Sequence, residues 1–173
     1  MLVVAATDRE VAGIDGAETL VCGIGPVEAA AATARALAER RPDFVLHVGI
    51  AGARTLEPLS VVLGSEAVYC DIAAAIPVVD RVAPDASLLE RCRAALPDAA
   101  VVPIGTSAAV GRGTCDVEGM EGFGVLRACE LAGVPAVELR VIANSPDESD
   151  RTKWRIDEAL ELLGATLDRL DVV

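Results

Sequence analysis

The residues able to do chemistry are few and spread along the chain. Asn144 closes the apolar run Val134–Ala143, and Ser145-Pro146-Asp147 follow it. A carboxamide there can start a turn, or it can read the edge of a ligand. Glu10 comes just after the short apolar run Leu2–Ala6. By itself it reads first as a surface acid on a short helix. At the carboxyl end of a strand, however, it could also point into a cleft. In "VEGMEGFG", Glu118 and Glu121 are three apart and would share a helix face. Acids at a helix start can simply complement the dipole. Gly119, Gly122 and Gly124 would each cost that helix about 1 kcal/mol relative to alanine. A close approach by a ligand or another chain would explain them. "VGIAGA", residues Val48–Ala53, ends another apolar run and lets backbone approach a ligand or a packed element. His47 is the single histidine and sits between Leu46 and Val48, so it reads as a satisfied core residue ahead of a catalytic one. No GxSxG elbow accompanies it. "GIGP", Gly23–Pro26, lacks both GxGxxG and Walker spacing and reads as a tight turn.

The elements that must position these residues alternate between strand and helix. Leu2–Ala6 is a continuous apolar run, the pattern of a strand buried on both faces. Thr7 or Asp8 can cap a short helix carrying Glu10, Val11 and Ile14. Glu18–Cys22 reads as a second strand. Pro26 then opens an alanine-rich helix that Pro42 stops. Residues 44–53 form a buried strand. "LSVVLGSEAVYCDI" reads as one long strand bent at Gly64. A helix over Asp85–Leu96, a strand and a glycine-rich loop within residues 99–111, and a helix over Glu118–Ala132 capped by Gly133 come next. Val134–Ala143 is the last strand. Residues 151–170 close the chain as an amphipathic helix with Trp154, Ile156, Leu160, Leu163, Leu167 and Leu170 on its apolar side. The alternation predicts one domain over residues 1–173, a three-layer α/β/α sandwich around a mixed, largely buried sheet.

Composition agrees with a layered core. The 173 residues are 53% hydrophobic and 24% charged, but only 2% aromatic, so alanine and valine must fill the interior. A chain of this length buries roughly 70% of its unfolded surface. The net charge of −12 opposes nucleic acid and anionic membrane as partners. No apolar stretch approaches the ~20 residues of a membrane span. Five cysteines without CxxC spacing suit neither a disulfide framework nor a zinc site, and point to a reducing cytoplasm. "MLVVAATDRE" has no basic segment before its apolar run, unlike a signal peptide.

Taken in order, Glu10, "VGIAGA", Met120-Glu121 and Asn144 resemble the nucleoside phosphorylase and nucleosidase superfamily. That family carries an acid after its first strand and a glycine-rich strand end in mid-chain. It also has a Met-Glu pair on a helix and a base-reading polar residue after a late strand. "AATDREV", "LGSEAVYCDI", "DVEGMEGFG" and "RVIANSPDESDRTKW" are most similar to the futalosine hydrolase family of the alternative menaquinone pathway. Trp154 fits that family's tryptophan on the last helix.

The resemblance implies hydrolysis of the N-glycosidic bond of a purine nucleoside, futalosine, releasing hypoxanthine, with neither cofactor nor metal. Glu10 would orient or deprotonate the attacking water. Glu121 would accept the ribose hydroxyls and Met120 would pack beneath the sugar. Ile50, Ala51 and Gly52 would line the substrate. Asn144 would read the base, because a 6-oxopurine presents O6 and N7 as acceptors and a carboxamide NH2 suits both. Relatives that cleave adenine nucleosides use aspartate there. Phosphorolytic relatives usually carry Ser or Thr at the Ile50 position; isoleucine offers phosphate no donor, though Arg54, Arg112 or Arg140 could supply charge. The rival readings are a methylthioadenosine/S-adenosylhomocysteine nucleosidase, a purine nucleoside phosphorylase, or a shortened inactive purine binder. The family resemblance also implies a homo-oligomer, with an apolar patch near Tyr69 or Phe123 as a candidate contact. The chain is shorter than usual for the family between Ala73 and Asp85 and between Val110 and Cys115.

Overall fold

A computed structural model describes residues 1–14, 16–73 and 75–170. The elements run β1 (Leu2–Ala5), β2 (Glu18–Val21), α1 (Pro26–Glu39), β3 (Val45–Ala53), β4 (Val61–Tyr69) and β5 (Arg81–Val82). Then follow α2 (Ala86–Ala95), β6 (Ala100–Thr106), β7 (Val117–Gly119), α3 (Gly122–Ala132), β8 (Ala136–Asn144) and α4 (Ile156–Leu170). Local chemistry sets several ends. Pro26 supplies the fixed φ of a first helical turn. The Asp85 carboxylate accepts Leu88 N–H at 2.8 Å and caps α2. Gly133, at φ 67°, closes α3 in the left-handed conformation.

The sheet is mixed. β2, β1, β3 and β8 run parallel, while β8 meets β4, and β3 meets β7, antiparallel. The pairings β3–β8–β4–β6–β7–β3 close on themselves, and Ala51, Val62, Ile104, Val117 and Ile142 fill the space they enclose. Alternation along β1 shows the layers. Val3 and Ala5 join the core under α2 and α4, whereas Leu2 and Val4 join the core under α1 and α3. The three-layer α/β/α expectation therefore holds. No helix among the described residues is long and apolar enough to cross a membrane.

Two irregularities matter for the site. β4 is one strand with a bulge between Gly64 and Glu66, as its glycine suggested. β3 and β8 keep register through Ala51↔Ile142, then shift so that Gly52 faces Asn144 and Ala143 is passed over. A one-residue shift exchanges the faces of all later side chains. This bulge therefore decides where the Asn144 carboxamide points.

Three expected helices differ. Residues 7–13 form turns, not a helix, with Glu10 N–H bonded to Thr7 O at 3.2 Å and Ile14 N–H to Val11 O. The helix expected from Glu118 begins at Gly122, because Val117–Gly119 pairs with both β6 and β3. Glu118 and Met120 are thus off the helix, and Glu118 and Glu121 share no helical face. The last helix starts at Ile156. Before it, residues 151–153 make a 3-10 turn capped by Asp150, and Trp154 is extended.

Two glycines of "VEGMEGFG", Gly122 and Gly124, answer to this chain's own groups. A Cβ on Gly124 would lie 2.5 Å from Pro26 O, so its absence lets α3 pack on α1. A Cβ on Gly122 would meet the Glu138 carboxylate, whereas one on Gly119 would make only ordinary contact, 3.5 Å from the Arg140 guanidinium.

Candidate active site

A cavity of about 420 Å³ opens beyond the carboxyl ends of β1, β3 and β8, the usual place for a ligand in an α/β sheet. Glu10, Ile50, Ala51, Gly52, Met120, Glu121 and Asn144 all line it. These residues come from four separate stretches of chain, and the fold brings them together.

Glu10 is buried although no helix carries it. Its Oε2 accepts Thr7 N–H at 2.9 Å and the Thr7 hydroxyl at 2.8 Å. That is the reciprocal half of a capping box without the helix. Its Oε1 accepts Ile50 N–H at 3.1 Å. The carboxylate is therefore tied to the turn that follows β1 on one side and to β3 on the other. Thr7 also lines the cavity; the T-x-x-E spacing in "ATDRE" was the available signal for it.

Glu121 precedes α3 and is also buried. Its Oε1 accepts Gly25 N–H at 3.1 Å. "GIGP" is thus more than a turn. Gly23 and Gly25 take φ 84° and 101°, which favours glycine, and the conformation presents the Gly25 amide to Glu121. Asn144 projects over Gly52, with its amide nitrogen 3.2 Å from where a Cβ on Gly52 would be. Any side chain at 52 would press on that carboxamide. Trp154 forms another wall, and its Nε1 donates to Glu148 O at 3.2 Å.

Behind the cavity lies a buried polar array. Arg140 and Glu138 are both fully buried, two apart on β8. Arg140 Nε donates to Glu138 Oε1 at 2.8 Å, Nη1 to Ile50 O at 3.4 Å, and Nη2 to Glu121 Oε2 at 3.5 Å. Nη2 also lies 2.5 Å from His47 Nε2. Burial works against the Arg140 charge, but Glu138, Glu121 and Glu10 outweigh it and hold its pKa above the ordinary value. Burial pushes the Glu138 carboxyl above its usual range, with Arg140 pulling against it. Burial, then the Arg140 charge, keeps His47 well below 6.5. His47 is the satisfied core histidine its strand position suggested. Glu138 went unnoticed in the sequence. Its signal was two opposite charges at i and i+2 in an apolar strand, where burial demands pairing.

The arginines considered for phosphate are otherwise employed or absent from the cavity lining. Arg140 is consumed as above. Arg54 donates to Cys115 O at 2.7 Å and to Glu118 Oε2 at 3.1 Å. Arg112 is not among the lining residues. Glu118 also accepts the amides of Gly111 and Gly113, so it anchors the short 110–115 loop, whose Val110 reaches the cavity. Asp147, unassigned from sequence, lies 3.8 Å from Arg54 Nε. Tyr69 and Phe123 stack with ring centroids 5.1 Å apart.

The phosphorylase superfamily model matches residues 18–170. A futalosine hydrolase from Streptomyces coelicolor is 34% identical over 185 aligned positions, which cover 90% of this chain and 79% of that protein. Among solved structures, the futalosine hydrolase of Helicobacter pylori superposes with a TM-score of 0.87 at 17% identity, over 99% of this chain and 97% of that one. A 5′-methylthioadenosine/S-adenosylhomocysteine nucleosidase from Helicobacter pylori gives 0.88 at 17% identity, over 99% and 97%. At such identities the two structures establish the shared fold.

Proposed function

The chain belongs to the phosphorylase superfamily and, within it, to the futalosine hydrolase family; on that footing we propose that it hydrolyses the N-glycosidic bond of futalosine. The products are hypoxanthine and dehypoxanthine futalosine, which makes this a step of menaquinone synthesis through futalosine. The observation that carries the reading is the convergence of Glu10, Met120, Glu121 and Asn144 on one cavity.

In this mechanism the C1′–N bond breaks and its electron pair leaves with the purine, which takes up a proton from solvent. Water adds to C1′ on the other face and gives one of its two protons to Glu10, which returns it to solvent, so that one water is consumed in all. Glu121 accepts the ribose hydroxyls, and Met120 floors the sugar as positive charge develops on it. Asn144 donates its NH2 toward O6 and N7 of the leaving base. Ile50 offers its apolar side chain where a phosphate would need a donor. Arg140 and Arg54 are engaged elsewhere. Of the two arginines that do line the cavity, Arg9 pairs with Asp157 and Arg151 lies over the Trp154 ring. Together with Ile50, this favours water over phosphate as the nucleophile.

The test is incubation with futalosine, inosine and 5′-methylthioadenosine, with and without phosphate, following released base. Hypoxanthine release from futalosine at a rate independent of phosphate is expected. Release that requires phosphate would make the protein a phosphorylase. Release from methylthioadenosine alone would make it an adenine nucleosidase, and no release at all would leave a purine binder.

The same reading makes the protein a cytoplasmic homo-oligomer. Ile24 and Val110 stand at the cavity with 60% and 47% exposure, and Val27, three positions after Ile24, is 74% exposed. Covering such a rim by a second copy would remove apolar surface from water. Sedimentation as a clean monomer at micromolar concentration would reject that part.

A further inference from the structure

We propose that His47 and Glu138 are positioning residues, which hold the Arg140 guanidinium in one orientation and through it fix the two cavity carboxylates, Glu10 and Glu121. The proposal rests on the hydrolase reading above for what those carboxylates do. Neither His47 nor Glu138 lines the cavity, so each acts through Arg140.

A guanidinium has five N–H donors in a rigid plane and no acceptor. Arg140 is fully buried and therefore needs an acceptor in each direction. Glu138 Oε1 takes Nε at 2.8 Å and His47 Nε2 takes Nη2 at 2.5 Å. With those two directions fixed, the plane of the fork is fixed. Nη2 then also faces Glu121 Oε2 at 3.5 Å, and Nη1 faces Ile50 O at 3.4 Å. Nη1 and Glu10 Oε1 both border the point where a Cβ on Gly49 would lie. One guanidinium edge thus addresses Glu121 and the other lies beside Glu10.

This arrangement dictates the state of His47. Because Arg140 can only donate, Nε2 must be the unprotonated nitrogen. The ring proton is then on Nδ1, which donates to Val4 O at 3.0 Å. An imidazolium would set two donors face to face in a buried site. Glu138 is equally specific. A fully buried acid inside an apolar strand is costly, and its Oε2 has no hydrogen-bond partner among the described residues. A valine would serve the core better; what the carboxylate adds is a direction for Arg140.

The chain has one histidine, so a ¹⁵N-histidine-labelled sample reports on His47 alone. The expected spectrum shows a neutral ring protonated on Nδ1, unchanged from pH 8 to pH 6. A ring protonated on Nε2, or an imidazolium, would overturn the proposal. Kinetics supply the second arm. His47→Leu removes the acceptor, and a fall in kcat of about 10²-fold, the scale of a misplaced catalytic group, is expected with KM changed far less. His47→Gln restores an acceptor and is expected to recover most of the loss. Equal kcat in the wild type and a folded His47→Leu, or equal losses in both variants, would overturn the proposal. Should His47→Leu fail to fold, Glu138→Val removes the other acceptor of Arg140 and carries the same test of kcat against KM, and an unaltered kcat overturns it. The spectrum needs no substrate. A wild type that releases no base from futalosine therefore defeats the functional reading, while the orientation of Arg140 is still decided by the spectrum.

Discussion

Glu10 and Ile50 lie forty positions apart, and the Glu10 carboxylate accepts the Ile50 amide at 3.1 Å. The two parts of Ile50 therefore serve different ends. Its backbone N–H holds the acid and its side chain lines the cavity with apolar surface. Residue 50 thus serves the site twice, once through its backbone amide and once through its side chain.

Glu10→Gln tests the first role. All three bonds to this side chain come from donors: Thr7 N–H, the Thr7 hydroxyl and Ile50 N–H. An amide can accept on one side only, so its NH2 would face a donor on the other. The variant also lacks the proton acceptor for water. A kcat lower by about 10²- to 10⁴-fold is expected, the range for loss of a general base, with KM altered little. Steady-state hypoxanthine release measures both, and a kcat within threefold of wild type would remove Glu10 from the mechanism.

Asn144→Asp tests the reading of the base. The β3–β8 bulge points this side chain over Gly52 and into the cavity. An ionised carboxylate there has no donor for O6 or N7 of a 6-oxopurine. Losing a hydrogen bond and leaving polar groups unpaired costs about 1–3 kcal/mol. A drop of about 10- to 100-fold in kcat/KM for futalosine is expected, with a smaller change or a gain for methylthioadenosine. Competing the two substrates in one reaction gives the ratio directly, and an unchanged ratio would sink the role assigned to Asn144.

Much of the fold was legible because its cues are local. Pro26, Asp85 and Gly133 mark helix ends by their own backbone and side-chain chemistry. What was not legible depends on partners distant in sequence. Val117–Gly119 looks like a helix start until β3 and β6 are present to pair with it. Glu10 and Thr7 have capping-box spacing, but the bond to Ile50 on β3 holds the acid without a helix. The candidate site residues that line the cavity were named from ordered resemblance. Glu138 was missed, because it and His47 become neighbours only when β3 and β8 align in register.

Gly49→Ala tests how tightly the site is closed. This glycine precedes the three residues named for substrate contact, and its role is to be small. A Cβ here would press on Arg140 Nη1 and Glu10 Oε1 together. Both side chains are buried and bonded on several sides, so neither can yield cheaply. Overpacking of this kind costs about 1–3 kcal/mol. A lower Tm is expected together with a kcat reduced at least as much as in His47→Leu. Gly164→Ala is the control, since a Cβ there meets nothing within 4 Å. If Gly49→Ala melts and turns over like that control, the close approach of Arg140 and Glu10 is not a feature of the folded protein.

The buried histidine also fixes a dependence of stability on pH. Burial and the Arg140 charge hold His47 well below its ordinary 6.5 in the folded protein, whereas in the unfolded chain it titrates near that value. As pH falls through about 6.5, the unfolded chain takes up a proton that the folded protein refuses. The stability owed to neutral His47 is therefore complete above pH 6.5. Below it, about 1.4 kcal/mol is lost per pH unit until the folded-state value is reached. Glu138 has the opposite sign. Burial raises its pKa above 4.5, so its contribution is full below the ordinary glutamate value and is lost as pH rises through the raised one. His47→Gln removes the first effect and keeps the carboxyl of the second. Urea unfolding at pH 7.5, 6.0 and 5.0 separates them. Between pH 6.0 and 5.0 the wild type is expected to lose about 1 kcal/mol more than His47→Gln. Parallel stability curves for the two proteins would mean that His47 binds its proton in the folded state as readily as in the unfolded one.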